Sequence, residues 1–468
     1  MHIPCRTRIV ARCDAPTRQV VTTLYGINRP LSALAMEERY RSVSIGDLHD
    51  RETILAVRRL KYVPYPKHYI LYKPPSPTFS DQTRARYVRV LNLHPATLAA
   101  LLSLNKRKYW VKKTLKTLGM LPRRQTAFII KPKSVLTIIS NLSLVTSLTL
   151  DCEISTVHPT LKSYKKSLPF IAAGWASFGQ NLRFLHLKVP LYAIQETIGS
   201  AKLPNLQGLS LDFALWDCAM PGSQQVIVNF IHNHADSLRF LDISMYRDLF
   251  QMLQDVRIPL LDSFKFYQYE QIDTVAFQLF LSAHSRTLKT LDLRLHTYNS
   301  DIPHENWFII RITLPKLQSL AVKFWSRSDY HLQGAMDHVV QYSHTLVSLD
   351  VTMAPYSYNQ IHGLATQFSA QGLLRKLGLT TKTLIPKLLI LLSSKLPFLE
   401  NLTLEFYGLA AQEGPVTVVV GHYAEEMKVV FVLIPRCINE SVSVTSSAGK
   451  WAEFPFTSGK YAIWLSAP

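Results

Sequence analysis

Apolar positions recur along this chain in one spacing, L-x-x-L-x-[apolar]. The clearest copy is Leu-Arg-Phe-Leu-Asp-Ile at residues 238–243. Upstream copies are Val145/Leu148/Leu150, Leu182/Leu185/Leu187 and Leu206/Leu209/Leu211. Downstream copies are Leu261/Phe264/Phe266, Leu288/Leu291/Leu293, Leu317/Leu320/Val322, Leu346/Leu349/Val351, Leu374/Leu377/Leu379 and Leu399/Leu402/Leu404. Ten copies between Val145 and Leu399 give nine steps over 254 residues, a period of about 28. Successive residues of a strand face opposite sides. The last two apolar residues of each copy therefore point one way, and the residues between and after them point the other. One such strand cannot bury its apolar side alone, but stacked neighbours can.

Between the strands lie amphipathic stretches long enough for about two or three helical turns. Gln224–His234, Ile272–His284, Gly334–Ser343 and Ile361–Ser369 are the clearest. Four strands are approached through a proline, at Leu203-Pro204, Ile258-Pro259, Leu314-Pro315 and Leu396-Pro397. Three others are approached through Asp236-Ser237, Arg286-Thr287 and His344-Thr345. A proline just before a strand costs little, because its missing N–H is not needed there. The expected fold is an α/β leucine-rich-repeat solenoid, with a curved parallel sheet and helices on the convex side.

Weaker matches at Val88/Leu91/Leu93 and Leu115/Leu118/Met120 extend the spacing backwards. The expected organisation is an N-terminal region over 1–45, a proline-rich linker over 46–84, the solenoid over 85–408 and a C-terminal cap or extension over 409–468. The linker rests on Pro64, Pro66, Pro74, Pro75 and Pro77. Beyond Tyr407 the repeat lapses into a β-rich stretch and a Ser/Thr-rich one, and Lys460–Leu465 suits a final docking segment.

Residues 24–45 place a short amphipathic helix (Leu31, Leu34, Ala35) before a strand-like segment with Tyr40, Val43 and Ile45. This order of parts resembles the distal end of an F-box followed by the first strand of a fungal-type F-box/leucine-rich-repeat protein, with the F-box truncated or diverged. The resemblance implies a substrate receptor of an SCF-type ubiquitin ligase. In that family the repeats hold the substrate and the F-box holds a Skp-type adaptor. The Leu-Pro opening of an F-box has no counterpart in Met1–Gln19, so weak or no adaptor binding is expected.

Charge and chemistry change this picture in three places. The formal net charge is +20, which suggests an acidic partner surface without choosing one. Residues 105–133 hold ten basic and no acidic residues. Lys106, Arg107, Lys108, Lys112, Lys113 and Lys116 surround Tyr109 and Trp110 there, a pattern suited to nucleic acid or to a plainly solvated face. The five scattered cysteines form no C-x-x-C pair, and the basic N-terminus lacks an apolar core. A reducing cytoplasmic or nuclear setting is expected, without membrane contact.

Catalytic and phosphate-binding motifs are missing from the sequence, so no enzyme activity, cofactor or metal is expected. His232-x-His234-x-Asp236 has metal-like spacing but falls at a helix end, where polar and cationic residues serve structure. The candidate site is instead the concave face. The period directs Phe184, His186, Lys188, Asp212, Phe240, Asp242, Lys265, Tyr267, Asp292, Arg294, Lys323 and Asp350 onto it. Asp242, Asp292 and Asp350 share one register position and suggest an acidic row beside a basic line of Lys265, Arg294 and Lys323. The expectation is a monomeric protein-recognition module with a protein or peptide ligand across residues 184–352. A nucleic-acid-associated repeat protein and an orphan scaffold without a ligase role are the alternatives.

Overall fold

The computed structural model describes residues 37–38, 41–45, 85–95, 98, 132–152, 164–199, 201–213, 222–245, 249–268, 273–296, 312–325, 336–409, 443–446 and 461–466. The chain divides into two units, Met1–Ser237 and Leu238–Pro468.

The first unit holds β1 (Ser42–Ile45), β2 (Val90–Leu93), β3 (Ser147–Asp151), β4 (Phe184–Lys188) and β5 (Gly208–Asp212). Each strand pairs in parallel with the next. Parallel strands require crossover connections. Here these contain α1 (Pro132–Ser140), α2 (Leu168–Phe178) and α3 (Ile194–Ile198), and α4 (Ser223–Asn233) follows β5. The parallel ladder already includes Ser42–Ile45, well before residue 85, and Val43 is buried. The match at Leu115–Met120 lies outside the described residues.

The second unit holds β6 (Phe240–Met245), β7 (Ser263–Gln268), β8 (Thr290–His296), β9 (Ser319–Trp325), β10 (Ser348–Tyr356), β11 (Lys376–Leu384) and β12 (Asn401–Leu409). These pair in parallel in chain order. Its helices are α5 (Phe250–Leu253), α6 (Thr274–Ala283), α7 (Tyr358–Ser369) and α8 (Pro386–Lys395). Two C-terminal strands, β13 (Ser443–Ser446) and β14 (Tyr461–Ser466), complete it. β14 lies antiparallel on β12, and β13 antiparallel on β14. The expected docking segment thus supplies backbone partners to the last repeat strand, which removes an open edge.

The repeat pattern accounts for the core. All three apolar positions of all ten copies are at most 8% exposed. Each fully buried leucine contributes about 1.5–3 kcal/mol relative to an exposed one. The backbone repeats as regularly. At successive strand starts one carbonyl accepts two consecutive N–H groups from the next strand, as Asp262 does from Lys289 and Thr290, and Lys289 does from Gln318 and Ser319. These bonds fix the register, so equivalent residues stack in columns.

The two kinds of approach to a strand have separate physical causes. In the proline type, the turn closes on a backbone bond from the first apolar residue of the strand motif, such as Leu261 N–H to the Ile258 carbonyl. In the polar type, the hydroxyl caps the end of a longer helix. Ser237 Oγ donates to the His234 carbonyl, Thr287 Oγ1 to that of His284 and Thr345 Oγ1 to that of Tyr342. These hydroxyls satisfy carbonyls that the helix end leaves open.

The helix ends are built with similar economy. Asp273 caps α6, its carboxylate accepting from the N–H groups of Val275 and Ala276. These bonds hold its pKa below the ordinary carboxylate value. Ser357 and Gln360 form a reciprocal capping box at the start of α7. Beneath α5 and α6, Phe250 meets Phe264, Phe266, Phe277 and Phe280 at centroid distances of 4.7–6.3 Å. This aromatic cluster fills the core where the repeat substitutes Phe264 and Phe266 for leucine.

Candidate functional site

In each unit the sheet has one buried and one open face. The twelve residues that the period directs outward all lie on the open face, half-buried or exposed, and none is in the core. Register then decides which of them meet.

In the second unit three columns run across the strands. The first is Phe240, Ser263, Thr290, Ser319, Ser348, Lys376 and Asn401. The second is Asp242, Lys265, Asp292, Ala321, Asp350, Gly378 and Thr403. The third contains Ser244, Tyr267, Arg294 and Lys323. The expected acidic row is therefore not continuous. Lys265 stands between Asp242 and Asp292, and Ala321 between Asp292 and Asp350. Nor do the three cations form a straight line, because Lys265 occupies the second column and Arg294 and Lys323 the third.

The arrangement places opposite charges together. Arg294 Nη2 lies 3.3 Å from Asp292 Oδ2, and Lys323 Nζ 2.7 Å from Asp350 Oδ2. Partial burial lowers the Arg294 pKa. The carboxylates of Asp292, Asp242 and Asp350 more than offset this and hold it above the ordinary value. Asp350 Oδ1 also accepts the Thr352 N–H at 3.2 Å. Glycine at position 378 leaves room for that carboxylate, since a Cβ there would stand 2.9 Å from Asp350 Oδ1. Lys265 Nζ lies 5.6 Å from the Phe240 ring centroid, within cation–π range. Further along, Thr380 Oγ1 donates to Glu405 Oε2 at 3.1 Å.

The open face of the first unit is smaller. Lys188 Nζ stands 3.7 Å from Asp212 Oδ2, and His186 Nδ1 is 2.8 Å from Ser210 Oγ. Phe184, 48% exposed, is the apolar member of this face.

The hydroxyl run Ser263, Thr290, Ser319 and Ser348 is a feature that attention to charges and aromatics passes over. Its signal is in the sequence: each residue directly precedes the second apolar position of its copy. The run makes a smooth polar floor beside the charged columns.

The remaining sequence candidates divide clearly. Lys106, Arg107, Lys108, Lys112, Lys113 and Lys116 lie outside the described residues, as does most of the F-box-like segment. His234 ends α4 with Nδ1 donating to the Phe230 carbonyl at 2.8 Å, a helix-terminal role. Among the described residues, no group of three His, Cys, Asp or Glu side chains could hold a metal. No helix among them is long and apolar enough to cross a membrane.

Stacked parallel strands with a leucine core at a period of about 28 residues define an α/β leucine-rich-repeat solenoid. No protein-family model matches the sequence, and no curated protein matches it. Among solved structures, a chain in the crystal structure of the Rad7 and Elc1 complex in yeast is similar at a TM-score of 0.34 and 13% identity, over 74% of this chain and 77% of that one. A likeness of that size carries no argument about function.

Proposed function

We propose that this chain is a non-catalytic protein-recognition module, with its ligand on the open sheet face between Phe240 and Asp350. The observation that carries the reading is the register of that face. Asp242, Lys265 and Asp292 alternate in sign across adjacent strands, with Tyr267, Arg294 and Lys323 in the next column. Strands stand about 4.8 Å apart, so the charges form a fixed lattice that a partner must match. Such complementarity supplies specificity more than raw affinity. Tyr267 and Phe240 add aromatic surface of the kind enriched at binding hot spots. Together with the F-box resemblance of residues 24–45, this reading makes the chain a substrate receptor of an SCF-type ubiquitin ligase. Without a competent F-box it is a free-standing scaffold.

The test uses partners purified with the full-length chain from its native cell. Tyr267→Ala should weaken binding by about 1–2 kcal/mol or more, and Arg294→Glu should weaken it through charge. Neither should shift the melting temperature much, because both side chains leave the core. Unchanged binding by the double variant would move the site elsewhere. Recovery of a Skp-type adaptor and a cullin among the partners would support the ligase role, and their absence the scaffold.

The basic run at 105–133 favours a second reading, nucleic-acid association. Its affinity would then fall steeply with salt, since phosphate contacts release counterions. Charge reversal at Lys112 and Lys113 would weaken it. Salt-insensitive binding, measured by fluorescence anisotropy on a single-stranded oligonucleotide, would count against this reading.

A further inference from the structure

In three repeats a ring bearing a hydrogen-bonding atom occupies the position four residues before the first leucine of the strand motif: His234, His284 and Tyr342. Two of these rings bond the backbone of the preceding repeat. His284 is buried, with Nδ1 donating to the Phe280 carbonyl at 2.7 Å. Its Nε2 accepts the Ile258 N–H at 3.0 Å. Tyr342 Oη donates to the Ile312 carbonyl at 2.6 Å. Each ring thereby closes the space between its helix end and the turn before it.

His234 makes only the first half of this arrangement. Nδ1 donates to the Phe230 carbonyl, so the neutral ring presents Nε2 as an acceptor. Among the described residues no donor meets it. The residue corresponding to Ile258 is Leu203, since both precede the proline of their turns. Leu203 and His234 instead line a cleft of about 680 Å3, within the range of ligand-binding clefts. The sequence suggests why: the step from Leu203 to His234 is 31 residues, against 26 from Ile258 to His284. Gln180, Gln195 and Asn233 line the same cleft. Among the described residues none of the three makes a side-chain hydrogen bond. The buried Ile198, Leu203 and Phe230 line it as well.

We propose that this cleft, on the helical side of the first unit, binds an extended peptide segment of a partner protein, with one peptide N–H donated to His234 Nε2. The bound N–H takes the place that Ile258 N–H takes at His284. The amides of Gln180, Gln195 and Asn233 both donate and accept, so they match the alternating N–H and C=O groups of a peptide backbone. Recognition through backbone groups makes the site tolerant of peptide sequence. It is also separate from the open sheet face, so one chain can engage two partners.

The experiment selects binders to the full-length chain from a displayed library of random heptapeptides. The best is synthesised with single backbone N-methyl groups at each position. One N-methylation should weaken it about tenfold, the loss expected when one hydrogen bond goes and a buried acceptor is left unmet. His234→Phe should weaken the parent peptide by a similar factor, while His284→Phe should leave its affinity unchanged. Circular dichroism establishes that both variants fold. The N-methyl series is measured on the unsubstituted protein, so the test does not depend on either variant. The proposal is overturned if no heptapeptide is recovered, if no N-methylation matters, or if the peptide binds His234→Phe as it binds the unsubstituted chain.

Discussion

The two units use one repeat but expose different amounts of sheet. Strands β1 to β5 are four or five residues long, whereas β6 to β12 run from six to nine. The core needs only the two inward positions of each strand, and both units supply them. The added residues of the second unit lengthen the open face instead. A five-residue strand has its outward positions at the start, middle and end, while the longer strands continue past a fully paired middle. Tyr267, Arg294 and Lys323 hold the fifth position, the one that Lys188 and Asp212 hold at the strand ends of the first unit, but in the second unit the ladder runs on past it. The comparison teaches that strand length beyond the core's requirement marks where a solenoid invests in a surface.

The largest effect should come from the element the units share. Leu291 lies between Phe264 and Leu320 in one core column, and Leu148 lies between Leu91 and Leu185 in the corresponding column of the first unit. Leu291→Ala and Leu148→Ala should each cost about 2–5 kcal/mol, measured by urea unfolding. A cost below about 1 kcal/mol for either would break the equivalence of the two cores.

A smaller effect should separate the units by pH. In the second unit burial holds His338 at about 4 and also lowers His284. In the first unit burial lowers His94 and His234, offset in part at His94 by the charge and then the carbonyl of Asp151, and at His234 by the Phe230 carbonyl. A histidine with a lowered folded pKa resists protonation that the unfolded chain accepts near its ordinary value of about 6.5. Stability is therefore complete above about pH 6.5 and falls as the pH drops from there toward the folded pKa. Hydrogen exchange compared at about pH 7 and about pH 5 should show the segment around residues 336–346 losing protection first. Equal loss around residues 222–237 would erase the distinction.

Much of this was legible in the sequence because strand direction follows from a period of two. Thirty core positions and the outward course of Lys265, Tyr267 and Arg294 come from spacing alone. Lateral neighbours do not. Whether Lys265 stands beside Asp292 depends on the register between strands about 27 residues apart, which hydrogen bonds such as Lys289 N–H to the Asp262 carbonyl determine. That register interrupts the acidic row with Lys265 and Ala321. Ser42–Ile45 was legible as a strand from Val43 and Ile45, but its place in the ladder was hidden, because more than forty residues separate it from β2, far from the usual step. The difference between His234 and His284 was equally hidden, since it depends on whether a turn from the preceding repeat reaches the ring.

The smallest expected effect concerns the isolated ion pair of the first unit. Lys188→Ala removes a partly exposed contact to Asp212 and should change stability by about 0–1 kcal/mol. It should also change binding less than Arg294→Glu does, if the longer strands hold the ligand. Isothermal titration with the same purified partner compares the two variants directly.

Site-specific photo-crosslinking tests the central claim most directly. Benzoylphenylalanine is placed at Tyr267 on the open sheet face, and separately at Leu279, an exposed residue of α6 on the helical side. Both full-length variants are irradiated in the native cell extract, and covalent adducts are resolved by mass. The account predicts a discrete protein adduct from position 267 and none of that mass from position 279. The same adduct from position 279 alone would contradict it.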